Sequence, residues 1–77
     1  MIKEENQDRF KAVGDRIKEL RVKAGYSSHE QFAYDNSLQA KQVWRLESGK
    51  FDIKLSTLLR LLNIHGITLE EFFKGLK

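Results

Sequence analysis

Lys41 and Arg45 stand four residues apart, with Ala40, Trp44 and Ser48 at neighbouring three- and four-residue steps. At about 100° per residue of an α-helix these five share one face, while Val43 and Leu46 lie roughly opposite and Gln42 sits beside them. The outward face carries two cations, a large aromatic ring and small gaps. Such a surface fits the major groove of duplex DNA, where arginine or lysine donates to guanine O6 and N7 and an apolar side chain meets a thymine methyl. Ala40, Lys41, Trp44 and Arg45 are therefore the candidate base readers. The spacing also describes an ordinary solvated helix, but an indole turned to water without a partner is uncommon.

Other chemistry finds little support. There are no cysteines, which removes disulfides, thiolate metal sites and cysteine nucleophiles. His29 and His65 are far apart and lack the company of clustered carboxylates, so no metal site is expected. Ser27 and Ser28 read as helix caps, because no motif places a base beside either hydroxyl. Gly25 and Gly49 punctuate helices, and no glycine-rich phosphate loop is present. Glu70 and Glu71 suit the first turn of a helix without any acid–base role. The expectation is a protein that is not an enzyme, with no cofactor and no small-molecule ligand.

Helices must position the outward face. Phe10, Val13, Ile17, Leu20 and Ala24 recur at helical steps, and Gly25 stops that first helix. Ser28-His29-Glu30-Gln31 reads as a capping box opening a short helix with Phe32 and Ala33, which Asp35-Asn36-Ser37 closes. The helix bearing the candidate readers ends at Ser48-Gly49. Leu55, Leu58, Leu59 and Leu62 mark a fourth helix ending around His65-Gly66. Thr68-Leu69-Glu70-Glu71 is a second capping box, flanked by Ile67 and Phe72 as a hydrophobic staple, and Phe73 and Leu76 complete a fifth helix. Two short helices from Ser28 to Gly49 joined by a tight turn make a helix-turn-helix, with motif helices at about 29–36 and 39–48.

The 77 residues are one domain, read as a polar N-terminal extension over 1–8 and the helix-turn-helix domain over 9–77. Net charge is only +3, so its distribution matters more than its size. Arg9, Lys11, Arg16, Lys18, Arg21 and Lys23 face only Asp15 and Glu19 in the first helix, and Lys41, Arg45 and Lys50 face only Glu47. A solvated helix face explains the first group equally well. No apolar run approaches the ~18 residues of a membrane span, and the polar, acidic start is unlike a secretory signal. A cytoplasmic location with no membrane association is the expectation.

From Gly14 to Phe73 the sequence resembles the Cro and phage-repressor (XRE) family of transcriptional regulators. The resemblance rests on Arg16-Ile17-Lys18-Glu19-Leu20-Arg21, Gly25, Phe32-Ala33, Val43, Leu46-Glu47-Ser48-Gly49, Leu55, Thr57-Leu58-Leu59 and Ile67-Thr68-Leu69-Glu70-Glu71-Phe72. It implies an all-α, five-helix bundle of the lambda-repressor-like DNA-binding type. It also implies that Ala33 lets the motif helices approach, that Arg21 pairs with Glu47, and that the third helix reads bases. The chain departs from the pattern at Asn36 and Ser37, where an apolar residue and a glycine are usual. It departs also at Gln39, where Ser or Thr caps the third helix, at Trp44, where a small residue is usual, and by one extra residue at Ser27 or Ser28.

The resulting expectation is a sequence-specific regulator, a repressor that binds double-stranded DNA as a homodimer on a palindromic operator. Ser28 and His29 at the start of the second helix, Gln42 and Lys50 are the candidate phosphate contacts. Ile64, Phe72, Phe73 and Leu76 are the candidate dimer surface, or else plain core. The rival is a protein-interaction module, such as an antitoxin whose main partner is a toxin, with Trp44 as its hot spot.

Overall fold

Helix ends in the left-handed conformation divide this chain. In the computed structural model, which describes residues 6–76, they separate α1 (Gln7–Lys23), α2 (His29–Asp35), α3 (Ala40–Ser48), α4 (Leu55–His65) and α5 (Leu69–Lys74). Among the described residues there is no strand, and the protein is an all-α bundle of five helices. None of them is long and apolar enough to cross a membrane. Because α1 begins at Gln7, the polar extension expected over 1–8 is partly helical; residues 1–5 lie outside the described part.

α1 closes at Gly25 (φ 96°), where the Gly25 amide donates to Val22 O at 3.0 Å and the Tyr26 amide to Arg21 O at 3.2 Å. This paired closure needs a residue that tolerates positive φ. α2 closes in the same way, but on Ser37 at φ 57°. The Leu38 amide donates to Ala33 O at 2.8 Å and the Ser37 amide to Tyr34 O at 3.4 Å. A non-glycine residue held there costs roughly 1–2 kcal/mol. The turn is braced from α4, where Arg60 Nη2 donates to Ser37 O at 3.1 Å and Asn36 O at 3.4 Å.

Helix starts differ from the sequence reading in one respect. Ser28 Oγ accepts from the Gln31 amide at 3.1 Å, but Gln31 Nε2 donates forward to Asp35 Oδ1 at 2.8 Å. The first capping box is therefore half formed, since a carboxylate one turn on draws the glutamine away. The second is complete: Thr68 Oγ1 accepts from the Glu71 amide at 3.1 Å, and Glu71 Oε1 from the Thr68 amide at 3.0 Å. Gln39 begins α3 with no side-chain cap.

The core joins Ile17 of α1, Phe32 and Ala33 of α2, Val43 and Leu46 of α3, Leu58, Leu61 and Leu62 of α4, and Phe72 of α5. Phe32 meets the Tyr26 ring edge-on at 5.3 Å and stacks on His65 at 5.4 Å. Tyr26 Oη donates to Asp35 Oδ2 at 2.8 Å, which pushes the phenol above its ordinary value of 10.0. Leu55 and Leu59, on the apolar stripe that marks α4, point to solvent instead. α5 is tied to α1 through Arg16, whose Nε donates to Phe72 O at 3.0 Å and Nη2 to Glu71 O at 3.1 Å.

α1 and α3 touch backbone to backbone. A Cβ on Gly14 would lie 2.6 Å from Glu47 O, and one on Gly49 would lie 2.6 Å from Lys11 Cα. Gly49 is also left-handed, at φ 73°. Two positions thus require glycine for the close approach, and together they fix where α3 leaves the bundle.

Candidate nucleic-acid interface

The inward face of α3 is anchored by charge as well as by Val43 and Leu46. Arg21 Nε donates to Glu47 Oε2 at 2.7 Å and Arg21 Nη2 to Glu47 Oε1 at 3.1 Å, with both side chains about 95% buried. Arg21 Nη1 also donates to Tyr26 O at 2.8 Å. Such two-point pairing fixes orientation as well as distance, so the opposite face of α3 has a defined direction.

That opposite face presents Lys41, Trp44 and Arg45 to solvent, with Ala40 half-buried at its edge. Trp44 keeps 49% of its surface exposed. Among the described residues Lys41, Arg45 and Lys50 form no ion pair. Glu47, the one acid on α3, is turned inward onto Arg21 and His29. The outer face of α3 is therefore cationic with no neutralising acid on the helix. Ser37, Leu38, Gln39, Lys41, Gln42 and Arg45 line a shallow depression along one side of it. Gln42 is half-buried where α3 meets α4, and it also lines a cleft with Thr57 and Arg60.

The candidate phosphate contacts divide. Lys50 is exposed just beyond the end of α3, and its amide donates to Ser48 Oγ at 3.2 Å. Ser28 is occupied as the cap of α2. His29 requires a correction: its ring turns inward, with Nε2 3.0 Å from Glu47 Oε1. The buried carboxylate has acceptor capacity beyond Arg21, and the imidazole fills it rather than standing free.

The candidate dimer residues are also not one surface. Phe72 is fully buried within its own chain and is not available to a partner, a second correction. Its ring is enclosed because Arg16 clamps the α5 carbonyls onto α1, with the guanidinium 5.8 Å from the ring centroid. Ile64 packs against the core, Leu76 is half-buried, and Phe73 remains 48% exposed.

Two contributors escaped the sequence reading. Phe51, in the loop after α3, lies beneath Arg45, whose guanidinium carbon is 5.3 Å from the ring centroid. Arg60 braces the turn between α2 and α3. Neither relation falls on a helical repeat, so periodicity carries no signal for them. Among the described residues no cluster of His, Cys, Asp or Glu is suited to hold a metal. No protein-family model matches this chain, and no curated protein matches it in sequence.

Proposed function

We propose that the protein is a sequence-specific DNA-binding regulator of the lambda-repressor-like type, acting as a cytoplasmic repressor. α3 enters the major groove, Lys41 and Arg45 read base edges, and Ala40 and Trp44 supply apolar contact. The observation that carries this reading is the outer face of α3: exposed cations without acid partners beside an exposed indole, on a helix whose inner face is locked by Arg21 and Glu47. Lys50 clamps a phosphate past the helix end, and Gln42 reaches the backbone from the α4 side. A module of this size reaches useful affinity as a homodimer on two half-sites, with exposed Phe73 and neighbouring Leu76 at the contact.

Selection from a random duplex pool followed by affinity measurements tests the proposal. Lys41→Ala and Arg45→Ala should each cost about 1–3 kcal/mol on the selected site and relax preference at one position. Lys50→Ala should weaken selected and random DNA alike, and reduce the salt slope by about one unit. Identical, sequence-independent losses for Arg45→Ala and Lys50→Ala would place α3 on the backbone instead of in the groove. The exposed Trp44 also favours a second reading, a protein-interaction module such as an antitoxin. That module would bind its partner without the steep salt dependence of counterion release.

A further inference from the structure

Three arginines, Arg16, Arg21 and Arg60, donate N–H groups to the protein itself. Arg16 donates to Glu19, Phe72 O and Glu71 O. Arg21 donates to Glu47 and Tyr26 O, and Arg60 to the turn carbonyls. Arg45 is different. Among the described residues its guanidinium makes no hydrogen bond and no ion pair, and its one specific contact is the Phe51 ring. A cation over an aromatic face is held electrostatically by the ring quadrupole, and this leaves the N–H edges unspent.

Local backbone chemistry delivers that ring. Ser48 Oγ donates to Arg45 O at 2.8 Å and accepts from the Lys50 amide at 3.2 Å. With left-handed Gly49 between them, the chain folds back over the end of α3 and Phe51 arrives under Arg45. Phe51 itself is 37% exposed, so it is not needed to fill the core.

We infer that Phe51 is a positioning residue that holds the Arg45 guanidinium ready to read a single guanine in the major groove. This rests on the DNA-reading function proposed above. A free arginine surrenders rotamer freedom when it binds, whereas one already seated on a ring surrenders less. Guanine is the base that offers two acceptors, O6 and N7, to the paired donors of a guanidinium.

The test begins with the wild-type protein and a random duplex pool. Failure to enrich any sequence overturns the DNA reading itself, before a variant is made. Given a selected site, Arg45→Ala identifies the position at which preference is lost, and that position should be a guanine. Phe51→Leu should then weaken the selected duplex about three- to tenfold, with little loss on a duplex in which that guanine is replaced. Phe51→Trp keeps a ring and should restore discrimination, and Arg45→Ala/Phe51→Leu should bind no more weakly than Arg45→Ala. Equal losses on both duplexes, or full discrimination by Phe51→Leu, would overturn the inference. Should Phe51→Leu unfold, the wild-type Arg45 Hε resonance gives the answer. A ring-current displacement to high field is expected, and a shift typical of exposed arginines refutes the seating.

Discussion

Glu47→Ala removes one carboxylate and strands three donors. Arg21 Nε at 2.7 Å, Arg21 Nη2 at 3.1 Å and His29 Nε2 at 3.0 Å all lose their acceptor. Arg21 is 4% exposed, so its charge is left in the interior with only the Tyr26 carbonyl at 2.8 Å. Breaking a buried pair from one side costs about 3–5 kcal/mol, and the surviving Tyr26 contact argues for the lower end. A domain of this length holds roughly 4–12 kcal/mol in total. At about 4–8 °C per kcal/mol, the melting temperature should fall by about 12–24 °C. Thermal melts followed by circular dichroism, with urea titrations to check that the transition stays two-state, measure it. Arg21→Met/Glu47→Leu discriminates the cause, because removing both charges for apolar groups should bring stability back toward wild type. A Glu47→Ala protein melting within about 3 °C of wild type, the range of a surface substitution, would refute the reasoning. So would a double variant as unstable as the sum of its parts.

Ser37→Gly should raise stability by about 0.5–1 kcal/mol, since relief of the left-handed strain exceeds the added freedom of glycine in the unfolded chain. Ser37→Val should lower it, and a matched series of urea midpoints reads both. Burial, and secondarily the charge of Arg16, holds the His65 imidazole below its ordinary 6.5. The unfolded chain therefore takes up this proton first. Stability from this group is full above about pH 6.5 and is lost as pH falls through the folded value. His65→Phe should flatten that part of the pH–stability curve, and equal slopes for both proteins would exclude His65 as the source.

Local patterns made much of the fold legible in the sequence. Five helices follow from apolar spacing and glycine stops, and the reciprocal cap at Thr68 and Glu71 was readable because both partners lie within one turn. The turn residues Asp35-Asn36-Ser37 likewise marked where α2 closes, and it does so at Ser37 with φ 57°. What escaped involves choice among competing partners. Gln31 had an amide behind it and a carboxylate ahead, and took Asp35. His29 lies 18 residues from Glu47, and Arg16 lies 56 residues from the Phe72 carbonyl it holds. No periodicity encodes contacts made only after the chain has collapsed. The apolar identity of Phe72 and Phe73 was plain, but not which of the two α5 would bury.

The bare-backbone crossing at Gly14 and Gly49 has a consequence for how this protein can change over generations. No side chain at the crossing can be trimmed or enlarged to tilt α3 by degrees, because a single methyl group already collides with main chain. The orientation of α3 is therefore inherited as a constant. Its solvent-facing residues, Lys41, Trp44 and Arg45, stand outside the core cluster, so they can be exchanged one at a time at little cost to folding. Geometry and recognition chemistry are thereby separate heritable traits: new partners are reached by repainting one helix face, while the angle at which that face is offered stays the same.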